Sequence, residues 1–551
     1  MPLAPMAAGL AAESKAVNSD ISKPMTQYWT TIRDSFSKNR FFLPLIIGSL
    51  GFTVRLIHLN SYVSYPAFDL PLGGHAAYVK IAIKILEGDL LGGNQIFYDN
   101  SPIYAYILAA IFKVFGFDFS AVRFIQIVVG SLNCVLIGLI TRRYFGLRSA
   151  WIAGLVAAVY GPFIFYDGEI IVLSWVICFS LLGILLISTT DLIPNPKDLL
   201  IAGICLGAAI MGRPNLILFP VLLSFYFLLV WNKISLGKRM KYYAIFSIGV
   251  MLIPAMFTLR NYAVSRQVVF LTPSGGHNFY FGHNKDASPV FDMKFSFMGS
   301  IFLKYKEIAE NELNKPLTDM EASRYWYRKG IDFIIENPLE EARLIFKKIL
   351  FFMNDVEVPT YFNYYFNRQY SIVLKHWPIS FGTIIPFSVL GILASLRNWR
   401  RHTVLYLYVA TTLLSVVIFF VISRTRLPAV PILIGFAGFG VSKILDALLH
   451  KNWKIFLLSF TVILFVYFVT YQNLVQLNFA RSYNHLGVVY WYKNKIPEAE
   501  RAFRMAMQLQ RNFEYPLLNL IHMYEKQGKK EKVDLYRKLH EDWKKQWQQA
   551  Q

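Results

Sequence analysis

A series of long apolar stretches, separated by short basic ones, constrains the fold of this chain more than any other feature. The apolar runs fall near residues 41–60, 119–141, 148–166, 169–189, 199–212, 215–231, 242–260, 379–396, 403–423, 427–446 and 454–472. A helix needs about 20 apolar residues to cross a bilayer core of about 30 Å. The pattern predicts an all-α, polytopic membrane helix bundle of about 11 spans. The run 199–212 is short, so it could form a re-entrant pair with its neighbour 215–231.

The composition agrees with a membrane protein and argues against other classes. Of 551 residues, 55% are hydrophobic and 16% are charged, which is too apolar for one soluble domain. The net charge of +22 could indicate nucleic-acid binding, but lysines and arginines lie between the apolar runs, as membrane orientation requires. We therefore expect membrane lipids as partners and no nucleic acid. Three cysteines lie inside apolar runs and indicate no disulfide framework: Cys134, Cys178 and Cys205.

The basic residues predict which side of the membrane each loop faces. With the N-terminus in the cytoplasm, the following basic residues fall inside: Arg142, Arg143, Arg148, Lys238, Arg239, Lys241, Arg397, Arg400 and Arg401. An odd number of spans then places the C-terminus outside. The predicted regions are a cytoplasmic tail (1–40), a transmembrane domain (41–472) with outer loops 61–118 and 261–378, and an outer tail (473–551). Thr318–Glu321 has capping-box spacing and Pro338 suits a first helical position, so we expect juxtamembrane helices in the second loop.

The tail carries a repeat signature of its own. The tetratricopeptide pattern fits Leu486, Gly487, Tyr490, Ala499, Phe503 and Ala506, and a partial second copy fits Leu520, Tyr524 and Val533. Two repeats are fewer than a free-standing array usually needs. We therefore expect a small tetratricopeptide-like helical tail that packs on the membrane domain or extends a groove for a protein partner.

Polar side chains recur at the outer ends of many separate spans. They comprise Asp69, His75, Asp89, Asp99, Asp167, Glu169, Arg213, Asn215, Arg260, Asn261, His277, Asn278, His283, Asn284, Arg424 and Arg426. Acids, imidazoles and arginines together suit glycosyl transfer from a lipid phosphate. That reaction needs a base for the acceptor proton and fixed cations for the departing phosphate. Arginine suits the second role because its planar fork stays charged and pairs two phosphate oxygens.

Simpler interpretations remain open for several of these residues. Asp167 and Glu169 could form a solvated turn, and Arg424 with Arg426 could anchor at lipid headgroups. His277 and His283 could hold a divalent metal, although no acid or cysteine cluster adjoins them in the sequence, so no cofactor is certain. Arg55 and His58, near the outer end of the first span, are expected to extend their polar ends toward the interface.

The order of these motifs resembles the GT-C superfamily of membrane glycosyltransferases over roughly residues 41–445. The chain is similar to bacterial relatives of dolichyl-phosphate-mannose–protein mannosyltransferases and to the aminoarabinose transferase of lipid A. The resemblance rests on Tyr78, Ile85–Asp89, Phe97–Tyr104, Tyr160–Glu169, Arg213–Asn215, Ser274–Tyr280 and Arg424–Pro428. It implies a bacterial inner-membrane enzyme with a periplasmic C-terminus.

The resemblance also implies a mechanism and site residues. A polyprenyl-phosphate-linked sugar would be the donor, a protein, glycan or lipid the acceptor, and the transfer would be inverting. Arg260, Arg424 and Arg426 would bind the donor phosphate, and Asp167 with Glu169 would orient the acceptor or an ion. The substrate loop residues would be Arg213, Asn215, His277, Asn278, His283 and Asn284.

The chain departs from the family pattern where the base belongs. The family usually places an acid four and three residues before the tyrosine that matches Tyr78, and here those positions are Gly74 and His75. Asp69 is the nearest upstream acid, so either Asp69 or His75 is the candidate catalytic base.

The missing acid supports an alternative: a non-catalytic membrane scaffold whose repeat tail recruits partners. A secondary transporter is disfavoured, because we find neither midplane ionisable residues nor paired internal repeats in the sequence.

Overall fold

The computed structural model describes residues 41–71, 74–97, 101–188, 195–232, 234–290, 300–360 and 363–548. The predicted cytoplasmic tail (1–40) and Asp99 lie outside these residues. The described part is all-helical and holds no β-strand, only an isolated bridge between Val290 and Val421. The predicted all-α class is confirmed.

Helices occupy all of the predicted apolar runs. The first half of the chain forms α1 (Phe42–Tyr62), α2 (Gly74–Leu86), α3 (Pro102–Phe115), α4 (Phe119–Phe145), α5 (Leu147–Val159), α6 (Gly161–Gly168), α7 (Leu173–Ile187), α8 (Pro196–Gly212), α9 (Leu218–Phe225) and α10 (Leu236–Ser265). The later membrane helices and the tail helices follow after the second outer loop.

The second outer loop is itself helical and leads back into the bundle. Its helices are α11 (Gly275–Gly282), α12 (Ile301–Leu313), α13 (Asp319–Glu336), α14 (Pro338–Met353), α15 (Tyr364–Asn367) and α16 (Ile372–Lys375). The bundle closes with α17 (Phe381–Ser395), α18 (Trp399–Ile418), α19 (Ser423–Arg426), α20 (Val430–Leu449) and α21 (Trp453–Thr470). Thr318 and Glu321 form the predicted capping box, and α14 begins at Pro338 as predicted.

The chain is a multi-pass membrane protein. Within the described residues, six helical segments are long and apolar enough to cross a bilayer, and the bent pair α5 and α6 makes a seventh if it counts as one span. The helices Pro102–Phe115, Leu173–Ile187 and Pro214–Val230 are apolar but shorter. The total of about 11 spans stays a prediction.

Close helix packing holds the outer ends of the spans in place. α8 and α10 approach backbone to backbone, because a Cβ atom at Gly203 would collide with the carbonyl oxygen of Phe246. A Cβ atom at Gly249 would likewise collide with the carbonyl oxygen of Leu200. Lipid tails are as apolar as the helix surfaces, so helices in a bilayer associate mainly through close van der Waals packing, which small residues at a crossing allow. This crossing fixes α8, which Arg213 caps, relative to α10, which carries Arg260.

The tail forms four helices: α22 (Ala480–Tyr492), α23 (Ile496–Leu509), α24 (Tyr515–Lys526) and α25 (Lys530–Gln548). Gly487 lets α22 and α23 pack closely, since a Cβ atom there would lie 2.6 Å from the Phe503 ring. Ala499, Phe503, Leu520, Tyr524 and Val533 share one buried cluster. The assignment of this tail to the tetratricopeptide class stays a prediction.

Candidate functional site

Two buried carboxylates form the floor of the candidate site at the end of α6. Asp167 and Glu169 are 4% and 3% exposed. Asp167 accepts hydrogen bonds from Arg55 Nε at 2.7 Å and from the Ser174 hydroxyl. Glu169 accepts one from the Tyr62 hydroxyl at 2.5 Å. The solvated-turn interpretation is wrong for this pair, since both acids are enclosed and hydrogen-bonded.

Side chains from α4 support the turn between the acids. Gln126 Nε2 donates to the carbonyl oxygens of Asp167 and Glu169, at 3.1 Å and 2.6 Å. Arg123 Nε donates to the carbonyl oxygen of Gly168 at 2.8 Å, and its guanidinium lies 4.0 Å above the Phe68 ring. Arg123 thus joins the acid turn to the loop that carries Asp69.

Sequence reasoning missed Arg123 and Gln126 and placed Arg55 wrongly. Arg55 and His58 do not reach toward the interface: both side chains are fully buried, Arg55 against Asp167 and His58 against Ser371 Oγ at 2.8 Å. The available signal was the presence of ionisable residues inside apolar runs, which in membrane proteins usually mark function.

Arg213 and Arg424 are brought together from opposite halves of the chain. Burial, followed by the nearby positive charge of Arg424, lowers the pKa of Arg213 to about 9. The hydroxyls of Tyr78 and Tyr166 lie close enough to act on Arg213 as well. Arg213 Nε has no hydrogen-bond partner among the described residues. An anionic ligand near Arg213 would relieve this repulsion.

The first outer loop is tied to the end of α8 beside this pair. The Tyr78 hydroxyl accepts a hydrogen bond from the Ser101 backbone N–H at 3.3 Å. Ser101 Oγ donates to the carbonyl oxygen of Met211 at 2.8 Å. Tyr78 also meets Tyr104 edge to face at 5.0 Å, and the Tyr104 hydroxyl donates to Gln126 Oε1 at 2.5 Å. The arginine pair and the buried acids therefore belong to one connected structure.

His75, at the start of α2, faces this cluster. The residue is 5% exposed. Burial, followed by the charges of His485, Arg123 and Arg424, holds the pKa of His75 well below its ordinary value. The imidazole is therefore neutral at neutral pH and can accept a proton. A bound phosphate would offset the part of this lowering that comes from the surrounding positive charges.

Asp69, the other candidate base, lies on the rim. Its side chain is 68% exposed and pairs with Lys493 of the tail, with Nζ and Oδ1 2.5 Å apart. Partial burial favours the neutral acid, but the hydrogen bond from Lys493 outweighs it and lowers the pKa of Asp69.

Arg260, at the outer end of α10, is enclosed by backbone acceptors. Its guanidinium donates to the carbonyl oxygens of Leu91, Gly93 and Gln95 at 2.6–2.9 Å. It also lies 4.0 Å above the Phe97 ring. These contacts hold the segment after α2 against α10, which is a positioning role.

Arg426 is enclosed in a similar way. It forms an ion pair with Glu357 at 3.0 Å, with both side chains buried, and lies 3.9 Å above the Phe381 ring. It donates to the carbonyl oxygens of Phe352 and Val356 at 3.2 Å and 3.3 Å, and to that of Asn354. Its burial excludes the headgroup-anchor interpretation for this residue.

The predicted substrate-loop residues have different partners. Asn215 Nδ2 donates to Ser415 Oγ at 2.8 Å. His277 packs among the rings of Phe281, Phe302 and Tyr305. Asn278 is half-buried on α11.

The remaining loop residues lie against the outer helices. Asn284 Nδ2 donates to the carbonyl oxygen of Tyr280 at 2.7 Å. His283 contacts Glu341 through Nδ1 at 3.0 Å and the carbonyl oxygen of Ile418 through Nε2 at 2.8 Å. Within the ranges that the structure describes, no three His, Cys, Asp or Glu residues are grouped as metal ligands.

Comparison with known proteins finds a family match over part of the chain. Residues 99–257 match the family described as dolichyl-phosphate-mannose-protein mannosyltransferase. The match covers less than a third of the chain and lies within residues 41–445, over which the sequence resembles the GT-C superfamily of membrane glycosyltransferases. A comparison with curated proteins found no match.

Several solved structures are similar to the chain at low identity. The apo oligosaccharyltransferase of Archaeoglobus fulgidus is 16% identical to this chain. The aligned region covers 86% of this chain and 60% of the oligosaccharyltransferase, with a TM-score of 0.43. ArnT from Cupriavidus metallidurans bound to undecaprenyl phosphate is 13% identical, with 74% and 79% covered and a TM-score of 0.36. The Pmt1–Pmt2 protein O-mannosyltransferase of S. cerevisiae, bound to the sugar donor, is 16% identical, with 45% and 37% covered and a TM-score of 0.32. The chain spans about 60% of the length of the oligosaccharyltransferase, and these likenesses assign no residue a role.

Proposed function

We propose that this protein transfers a sugar from a polyprenyl-phosphate-linked donor to a hydroxyl-bearing acceptor on the periplasmic side of a bacterial inner membrane. The observation that carries the proposal is that the charge of Arg424 acts on both Arg213 and His75, while the Tyr78 hydroxyl, which also acts on Arg213, is bonded to the backbone of Ser101. The superfamily supports the reaction class.

The arrangement suggests a role for each group. Arg213 and Arg424 bind the donor phosphate and stabilise the charge that develops as it leaves. Arg260 and Arg426 hold the walls of the site through their backbone contacts. Glu169 and Asp167 fix the floor and orient the acceptor or an ion.

The transfer step balances without a further reactant. His75 takes the proton of the acceptor hydroxyl as the acceptor oxygen bonds to the anomeric carbon. The bond from that carbon to the phosphate oxygen breaks, and the electron pair leaves with the lipid phosphate. Attack opposite the leaving group inverts the anomeric configuration. Asp69 remains the second candidate base.

The test measures donor binding and transfer in nanodiscs. Arg213→Ala and Arg424→Ala should each weaken binding of polyprenyl phosphate and reduce transfer. Arg328→Ala, an exposed arginine on α13, is the matched control and should leave both unchanged. Unchanged lipid-phosphate affinity in both Arg213→Ala and Arg424→Ala would refute the assignment of these arginines to phosphate binding.

Orientation is tested separately. The basic-loop bias places the C-terminus in the periplasm. A reporter that is active only outside the cytoplasm should therefore be active when it is fused after Gln551. Activity of a cytoplasm-only reporter at that position would reverse the topology.

The scaffold function is the second candidate, because Gly74 and His75 replace the usual family acid. The scaffold function is favoured if the purified protein binds lipid phosphate but transfers no sugar from any lipid-linked donor. In that case the tail would serve to recruit a protein partner.

A further inference from the structure

The first helix of the tail packs directly on the loop that borders the candidate site. Val489 of α22 is fully buried in a cluster with Tyr62, Tyr65 and Phe68. Tyr62 is the residue whose hydroxyl donates to Glu169. One residue therefore separates the tail from the floor of the site.

The entry to the tail is held by two further contacts. Asn354 Nδ2 donates to the carbonyl oxygen of Gln472 at 2.7 Å, just after α21. The Phe366 ring packs against Phe479 at 5.9 Å and against Tyr483 at 5.1 Å. These contacts help to set the position of α22.

An ion pair closes the far end of the same helix. Lys493 follows α22 directly, and its Nζ lies 2.5 Å from Asp69 Oδ1. Lys493 is 29% exposed and Asp69 is 68% exposed, so water reaches the pair. Exposed pairs contribute little energy, typically about 0–1 kcal/mol. Such a pair can open without unfolding either partner.

Between these contacts α22 carries an imidazole toward the reaction site. His485 lies close enough to His75 for the two imidazoles to interact electrostatically. Burial lowers the pKa of His485 to about 4, so its ring is neutral at neutral pH. A neutral imidazole offers one hydrogen-bond donor and one acceptor, which suits a hydroxyl group.

We propose that α22 is the roof of the acceptor site in its own chain, with His485 as an acceptor-positioning residue and the Lys493–Asp69 pair as the latch. This inference rests on the proposed transfer function. It gives the tail a role within the molecule, whereas a partner-recruiting tail would not need to meet the site. It also gives Asp69 a mechanical task and leaves proton transfer to His75.

Charge reversal distinguishes a latch from a base. Asp69→Lys and Lys493→Asp should each raise the acceptor KM at least about tenfold, because like charges open the roof. The double variant restores an opposite-charge pair and should recover wild-type transfer to within about threefold. A base cannot be restored in this way, since lysine at position 69 carries no carboxylate. A double variant as inactive as Asp69→Lys would overturn the latch.

His485 is tested by a split between donor and acceptor parameters. His485→Ala should raise the acceptor KM while the affinity for polyprenyl phosphate stays unchanged, and His485→Gln should restore part of the loss. A structural role alone would lower thermal stability in both variants without this split. Unchanged acceptor KM in a folded His485→Ala protein would overturn the positioning role.

The outcomes also separate this inference from the proposed function. If wild-type protein transfers no sugar and binds no lipid phosphate, both fall. If the wild type is active and the roof variants behave like wild type with purified acceptor, only the roof falls. The tail then acts on partners.

Discussion

Two pairs of arginines at the outer face have similar sequence surroundings and opposite structural ones. Arg260 and Arg426 each lie among several backbone carbonyl oxygens and above an aromatic ring. Arg213 lies near enough to Arg424, Tyr78 and Tyr166 for each of these groups to act on its charge. The first pair is already supplied with acceptors, so its charge serves the scaffold. The second pair brings like charges together, an arrangement that is relieved by an anionic ligand.

The comparison teaches that proximity to a predicted site does not make an arginine a ligand-binding residue. Arg260 and Arg426 donate to several backbone carbonyl oxygens, whereas Arg213 lies near a like charge and its Nε has no hydrogen-bond partner among the described residues. The expected effects of substitution therefore differ in kind, from stability to activity.

The largest effect is expected at the enclosed pair. Arg426→Ala leaves the buried Glu357 carboxylate without its ion-pair partner, which should cost about 3–5 kcal/mol of stability. Thermal unfolding in detergent measures this loss. Exposed Arg328→Ala serves as the control and should leave the transition unchanged. If Arg426→Ala unfolds at the same temperature as the wild type, Arg426 does not stabilise the fold as proposed.

Substitution of Arg213 or Arg424 should reduce activity instead of stability. Removing one fixed cation from a developing phosphate charge should reduce transfer about 10²- to 10³-fold. Arg213→Ala or Arg424→Ala should leave the unfolding temperature unchanged or slightly raised, because each removes a like-charge repulsion. Unfolding of either variant at lower temperature with normal residual transfer would erase the distinction between the pairs.

The third largest effect is expected at His75, the candidate base. His75→Ala should reduce transfer by about a hundredfold, the usual size of a lost general base. Asp69→Asn should reduce it less and should act mainly on the acceptor KM. If both variants keep full transfer, neither residue is the catalytic base, and Asp167 or Glu169 becomes the candidate.

The smallest effect concerns the tail above the same cluster. Burial lowers the pKa of His485 to about 4, and burial with the charges of His485, Arg123 and Arg424 lowers that of His75. Below about pH 6.5 an undocked tail would therefore bind protons that the docked tail excludes. Docking should weaken as the pH falls from about 6.5 toward 4, by at most about 1.4 kcal/mol per pH unit for each imidazole.

Spin labels at the exposed positions Tyr492 and Ile372 measure this change as a distance. The Asp69–Lys493 pair contributes no titration in that range, since the pKa of Asp69 lies below its ordinary value. His485→Gln should weaken the pH dependence. A distance that is constant between pH 7 and pH 4.5 would contradict the assignment.

Local sequence signals predicted the helices and many of their boundaries. The apolar runs set the spans, because a bilayer leaves backbone polar groups no partner outside the helix. The capping box at Thr318 and the first-turn Pro338 marked helix starts for equally local reasons. The motif order from Tyr78 to Arg424 indicated the superfamily before any contact was known.

The sequence by itself determined the all-helical membrane class, the order of the segments and which polar residues lie at the ends of apolar runs. Only the tertiary structure decided which of them meet. Arg213 and Arg424 are 211 positions apart, and only the path of the bundle between them brings the two charges near each other. Likewise, Arg55 resembles an interfacial residue in sequence and is paired with Asp167 in the folded chain. Helix periodicity is a local property, whereas charge pairing depends on contacts between distant segments.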